Sequence, residues 1–245
     1  MVTADILIDL RGISFSYQPG KPVLENLDFR LREGQKIGLI GPNGSGKTTI
    51  FHIIMGLLEP ESGHIMIFGQ EMKREKDFRS IRQKIGLLFQ DSDDQLFCPT
   101  VLEDVAFGPL NQGKTIKEAK QIAEDILASL GLIGFENRIT YQLSGGEKRL
   151  VALATVLAMK PKILLLDEPT NGLDNETTEK IIDILKGVDL SYIFISHNLD
   201  FIANTADSIY GIVDGRISRE TEKIPHAHMH SHSYGKLPHS HSDDD

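Results

Sequence analysis

Gly41-Pro42-Asn43-Gly44-Ser45-Gly46-Lys47-Thr48-Thr49 stands between an apolar run, Lys36 to Ile40, and an amphipathic one at residues 49–58. It is the full G-x-x-x-x-G-K-[ST] pattern in the setting that pattern needs: strand, loop, helix. Glycines let backbone N–H groups turn inward around an anion, the following helix aims its positive dipole end at the same point, and Lys47 adds a full charge. The stretch predicts a nucleotide polyphosphate site in an α/β fold. A turn that only caps a helix needs neither the Lys-Thr pair nor three glycines.

Upstream, residues 6–10 and 12–17 read as two short strands, and Leu27, Phe29 and Leu31 alternate with polar residues as a half-buried strand does. An antiparallel β unit is expected there, with Gly20 and Pro22 at its turn. Downstream, 64–69 reads as a strand and 85–89 as a buried strand of a parallel sheet, ended by Gln90. From Asp91 the pattern turns to an acidic loop and then to helices. Thr100-Val101-Leu102-Glu103 and Thr115-Ile116-Lys117-Glu118 have capping-box form, and Ala119, Ile122, Ala123, Ile126, Leu127 and Leu130 share one helical face. A third helix is expected over about 144–158. Strands return at 162–166 and 191–196 around a helix at 175–186, and Asp214-Gly215 predicts a hairpin between 208–213 and 215–217. The expected architecture is an α/β P-loop NTPase (RecA-like) core, residues 1–90 and 160–219, with an N-terminal antiparallel β subdomain and an inserted α-helical subdomain at 91–159. Residues 220–245 form a separate His-rich tail, expected to be disordered.

Composition is that of a globular protein able to bury a sizeable core: 245 residues, 40% hydrophobic and 25% charged. No apolar run approaches the ~18 residues that span a bilayer, and the N-terminus lacks a signal-peptide pattern, so a cytosolic location is expected. The single cysteine, Cys98, fits a reducing compartment as a small apolar side chain. A net charge of −9 argues against nucleic acid as a partner.

Two further stretches carry chemistry. Ile163-Leu164-Leu165-Leu166-Asp167-Glu168-Pro169 delivers adjacent carboxylates to the C-terminal end of a strand, where ligands bind in open α/β sheets. Adjacent strand positions point opposite ways, so one carboxylate is expected to reach Mg²⁺, held also by the Thr48 hydroxyl, while the other addresses an attacking water. Leu143-Ser144-Gly145-Gly146-Glu147 is another glycine-rich helix start, with Ser144 as N-cap and Glu147 reaching back. As a second bare helix start it suggests a second anion contact, and one nucleotide could be gripped by both ends only if two chains meet.

Residues 41–49, Gln90, 143–147, 163–169, Gly172-Leu173-Asp174 and His197 stand in the order of the Walker A, Q-loop, signature, Walker B, D-loop and switch histidine of ATP-binding-cassette ATPases. The chain resembles that family over about residues 6–218. The resemblance implies a head-to-tail dimer, of two copies or with a related ATPase, in which the phosphate loop of one chain and the signature of the other sandwich each ATP, with Mg²⁺ as cofactor. It implies that Gly41, Pro42, Asn43, Gly44, Ser45, Gly46, Lys47, Thr48 and Thr49 cradle the phosphates, with Lys47 at the β- and γ-groups. Tyr17 would stack on adenine, although a strand tyrosine taken alone is packing. Thr48, Asp167 and Gln90 would attend Mg²⁺, Glu168 would polarise the attacking water, and His197 would contact the γ-phosphate. Gln90 would also relay nucleotide state to the helical lobe, and Ser144, Gly145, Gly146 and Asp174 would act across the dimer interface. One departure is Glu147, where the family signature often has Gln. A carboxylate there could repel phosphate, but the capping box is expected to turn it back toward Ser144.

DNA-repair members of the family insert a long coiled coil between P-loop and signature, and translation members carry two cassettes. Here the interval is short and lacks heptads, and one cassette is present, so membrane transport through separate subunits is expected. Asp93-Asp94-Gln95-Leu96-Phe97, then Pro99-Thr100-Val101-Leu102-Glu103-Asp104-Val105-Ala106-Phe107-Gly108-Pro109, resemble the ATPase subunits of energy-coupling-factor importers, above all the cobalt/nickel branch. That implies a peripheral place on the cytoplasmic face of the membrane, with an integral membrane coupling subunit and a substrate-binding membrane subunit as partners. Some of Leu96, Phe97, Val101, Val105 and Phe107 are expected to line a groove for a coupling helix, the others to be core. In the tail, His226, His228, His230 and His232 alternate with other residues and His239 and His241 follow, a pattern suited to Ni²⁺, Co²⁺, Cu²⁺ or Zn²⁺. The expected cargo is Co²⁺ or Ni²⁺. A vitamin importer of the same architecture is the alternative.

Overall fold

The computed structural model describes residues 5–220, with side chains described to residue 217. Strands β1 (Ile6–Gln18) and β2 (Lys21–Arg32) form a long antiparallel hairpin. Where the sequence predicts two strands, β1 runs through as one. Its register shifts at several places, one of them between Leu10 and Ile13, while pairing continues to Gln18, so Gly12 marks a bulge and not a break, and Asp28 takes up the Gly12 N–H at 2.8 Å.

Strand β3 (Lys36–Ile40) leads into the phosphate loop and α1 (Lys47–Ile54) follows, ending short of residue 58. Strands β4 (Ser62–Ile67) and β5 (Gln70–Glu71) extend the first hairpin into a sheet ordered β2-β1-β4-β5. Helix α2 (Glu75–Arg82), which the sequence reading does not foresee, buries only Phe78 and Ile81 among charged residues, too few to show a periodic face. After β6 (Ile85–Leu88) come α3 (Val101–Asn111), α4 (Ile116–Ser129) and α5 (Gly145–Ala158), and each opens on a capping box: Thr100 with Glu103, Thr115 with Glu118, Ser144 with Glu147. On α4, Ala119, Ala123 and Leu127 are fully buried, with Ile122, Ile126 and Leu130 partly buried beside them, the expected face. The chain then runs through β7 (Ile163–Asp167), α6 (Asn175–Gly187), β8 (Ser191–Ile195), α7 (Leu199–Thr205, also unforeseen) and the hairpin β9 (Ser208–Val213) and β10 (Arg216–Glu220).

The second sheet has the order β10-β9-β3-β8-β7-β6, parallel except for β10. Every residue of β7 and β8 is buried, as in a parallel sheet covered on both faces. Ile163 and Leu165 join the core beneath β1, β2 and α1, while Leu164 and Leu166 join the core of α3 to α6. Because β8 lies between β3 and β7, the segments that follow all three strands emerge side by side at the sheet's C-terminal edge. The histidine pattern of the tail, at 226–241, lies outside the described residues.

Candidate active site

At that edge a cavity of about 460 Å³ is lined by Tyr17, Asn43 and Lys47, by Gln90, and by Asp167, Glu168 and His197. Gly46 caps α1 in a left-handed conformation (φ 97°) that a side chain would strain, and a Cβ there would lie 2.6 Å from Leu24 Cδ2. No side chain caps this helix. Lys47 is buried and its ammonium donates to the carbonyls of Gly41 (2.7 Å) and Pro42 (2.9 Å). Burial lowers its proton affinity, against the pull of Glu168 and Asp167. Ser45 Oγ is buried with no hydrogen-bond partner among the described residues, the kind of orphan that a phosphate oxygen would satisfy. Tyr17 lines the cavity and is 61% exposed, its hydroxyl 3.2 Å from Thr49 Oγ1 and its ring perpendicular to that of Phe15, centroids 4.9 Å apart.

Thr48 Oγ1 donates to Asp167 Oδ2 at 2.8 Å, joining residues 119 apart in sequence. Among the described residues no three His, Cys, Asp or Glu side chains form a metal cage. Two hard oxygen donors beside a phosphate loop suit Mg²⁺, which keeps several waters and takes substrate phosphates as ligands. Burial raises the proton affinity of Asp167, opposed by the Thr48 hydrogen bond.

The alternation expected at Asp167-Glu168 does not hold. Strand β7 ends at Asp167, and Glu168 turns left-handed (φ 46°), with its N–H donated to Ile195 O at 3.0 Å. Both carboxylates therefore line the same cavity instead of opposite faces. Left-handed backbone at a glutamate costs about 1–2 kcal/mol. Burial raises the Glu168 proton affinity, which the nearby His197 opposes, with Nε2 3.4 Å from Glu168 Oε1.

Arg149 is a residue that the sequence reading passes over. It is 3% exposed on α5, and its guanidinium donates to the carbonyls of Phe89 (2.5 Å), Gln90 (2.9 Å) and Glu168 (2.6 Å). One buried cation thus ties the helix that starts at Ser144 to both Gln90 and Glu168. The signal was available: Arg149 sits three and four residues before Ala152 and Leu153, on the apolar face of its helix.

Ser144, Gly146 and Glu147 are not in this cavity. They line a second one of about 480 Å³, together with Asp174, which caps α6 through Thr177 N–H at 2.8 Å. Of the five apolar residues singled out on the helical lobe, Leu96, Val101 and Val105 are core. Phe97 (65% exposed) and Phe107 (44%) form an edge-to-face pair on the surface, ring centroids 4.8 Å apart.

The profile of the ABC transporter family matches residues 24–171, more than half of the chain. A relative in Methanothermobacter thermautotrophicus, the energy-coupling factor transporter ATP-binding protein EcfA, is 43% identical over 218 residues, 87% of this chain and 70% of that protein. The chain belongs to the ABC transporter family, as an ATPase of the energy-coupling-factor type. Among solved structures this cassette is similar to cbiO1 from Clostridium perfringens, described as part of the ABC transporter complex cbiONQ. That match has a TM-score of 0.78 and 31% identity over 87% of each chain. It is also similar to a dimeric ATP-binding cassette in a post-hydrolysis state with ADP and Pi, with a TM-score of 0.80 and 29% identity over 87% of this chain and 98% of that one. The cassette binds and hydrolyses ATP with Mg²⁺. Among its described residues, no helix is long and apolar enough to cross a membrane.

Proposed function

We propose that this cassette powers import of Co²⁺ or Ni²⁺ through separate membrane subunits, by closing head to tail on ATP against a second cassette. The observation that carries the dimer is the separation of Lys47 and Ser144 into two cavities of one chain: an ATP gripped by both glycine-rich helix starts needs two chains. The dimeric neighbour that holds ADP and Pi supports the same reading.

In the closed site Tyr17 stacks on the adenine, residues 41–49 wrap the phosphates, and Lys47 leaves the Gly41 and Pro42 carbonyls for the β- and γ-phosphates. Thr48, Asp167 and Gln90 would hold Mg²⁺, which when bound neutralises charge on the phosphate oxygens. Glu168 accepts the proton of the water that attacks the γ-phosphorus in line. Its left-handed backbone places the carboxylate in the cavity, and burial makes it a better proton acceptor than an exposed glutamate. His197 meets the γ-phosphate beside it, while Ser144, Gly145, Gly146 and Asp174 of one chain complete the site of the other. Gln90 and Arg149 join this chemistry to the helical lobe, where Phe97 and Phe107 present an apolar surface to a coupling helix of the membrane partner.

The metal cargo is supported by the six spaced histidines of residues 226–241 and by the resemblance of residues 93–109 to the cobalt/nickel branch of energy-coupling-factor ATPases. The test is uptake of radiolabelled Co²⁺ and Ni²⁺ by vesicles that contain the complete membrane complex. ATP-dependent accumulation of either ion supports the proposal. Accumulation of a vitamin with neither ion makes the cassette the motor of a vitamin importer.

A further inference from the structure

Under the head-to-tail reading, on which this inference rests, the second cavity receives the partner's ATP, and Glu147 lines it beside Ser144 and Gly146. A carboxylate at that place needs a reason not to repel a polyphosphate. The capping box is half of it: Glu147 Oε2 accepts the Ser144 N–H at 2.8 Å. The other oxygen, Oε1, pairs with Arg138 Nη1 at 2.7 Å. Arg138 is itself held in place. Its guanidinium lies 3.9 Å from the Phe135 ring centroid, its N–H donates to Phe135 O at 2.8 Å, and its carbonyl accepts the Val101 N–H at the start of α3. The neighbouring cations are engaged elsewhere, Lys148 with Asp93 (2.6 Å) and Lys180 with Glu176 (2.8 Å).

We infer that Arg138 is a positioning residue for the partner's nucleotide: it neutralises Glu147, so that the glutamate of the signature adds no uncompensated negative charge where the phosphates approach. In a single chain the pair is half in water, Arg138 48% and Glu147 33% exposed, and contributes little to stability. Closure against a second chain removes that water, and an unpaired carboxylate would then face a polyanion at low dielectric. The pair therefore matters for closure and not for folding.

The experiment uses the full chain carrying Glu168→Gln, titrated with MgATP, with dimer followed by sedimentation velocity at low and high salt. If this parent does not dimerise with ATP, the head-to-tail reading falls and takes the inference with it. If it does, adding Arg138→Ala should raise the ATP concentration for half-dimerisation about tenfold at low salt and less at high salt, with melting temperature unchanged. Adding Glu147→Gln to that double variant should bring the midpoint back to within about twofold of the parent, because the charge that needed a partner is gone. An Arg138→Ala midpoint equal to the parent's overturns the inference. So does a raised midpoint that Glu147→Gln does not restore, since Arg138 would then act only by holding its loop.

Discussion

Helices α1 and α5 both begin on glycine-rich turns, and they are built in opposite ways. Helix α1 starts from Gly46 with no side-chain cap, Lys47 at its first turn lines the cavity with only the Gly41 and Pro42 carbonyls as partners, and the neighbouring Ser45 hydroxyl is buried without one. Helix α5 starts from Ser144, whose Oγ takes the Glu147 N–H at 3.3 Å while Glu147 returns to Ser144, with Arg138 closing the circuit. The first terminus is an unsatisfied anion site. The second satisfies much of itself and adds only a contact. Under the proposed head-to-tail closure both kinds are needed, because ATP would stay on one chain while the dimer opens and closes.

The largest effect that can break this contrast is chemical. Glu168→Gln should cut ATP hydrolysis about 10³-fold and leave nucleotide binding intact, measured as phosphate release against fluorescent-ATP titration; hydrolysis near the wild-type rate would remove Glu168 from the catalytic role. The two helix starts are separated next. Lys47→Ala should weaken ATP binding to a single chain by about 10- to 100-fold, since a charge-assisted contact to phosphate is lost. Ser144→Arg should leave single-chain affinity within about twofold and stop dimer closure, so equal losses of affinity would erase the distinction between grip and contact.

Arg149→Met tests the tie between them. Three part-buried carbonyls lose a buried donor, and unfolding by urea should show a loss of about 2–4 kcal/mol. The smallest effect concerns pH. The Glu168 carboxyl binds its proton more tightly in the folded chain than in the unfolded one, so its contribution to stability falls as pH rises from the ordinary glutamate range through the raised folded value. Glu168→Gln has no such loss. It should melt slightly higher than wild type at neutral pH, with the gain shrinking as the pH is lowered into the glutamate range, followed by differential scanning fluorimetry.

How far the sequence could be read follows from the range of the interactions involved. Local patterns carried through: the phosphate loop, three capping boxes, the face of α4 and the hairpin at Asp214-Gly215 depend on neighbours within a few residues. Glu168 was found as a residue but misread as geometry, because strand alternation says nothing of the left-handed turn that follows Asp167. Arg149 was missed because its partners, Phe89, Gln90 and Glu168, are distant in sequence and offer backbone carbonyls, which every residue has. Leu96 and Phe97 are adjacent apolar residues with opposite fates, one core and one exposed, and hydropathy cannot tell the two positions apart.

What the sequence determined by itself is the chemistry present: a polyphosphate loop, paired carboxylates, a glutamine, a histidine, and a second glycine-rich helix start, all in one order along the chain. Only the tertiary structure decided which of these meet. It laid β8 between β3 and β7, so that residues more than a hundred apart share one edge, and it turned Glu168 into that edge. It also put Ser144 in a different cavity, paired Glu147 with Arg138, and left Phe97 and Phe107 outside. The physical reason is that motifs are written in covalent neighbours. A site is made by strand order, burial and backbone turns, which bring together groups with no other relation than the fold.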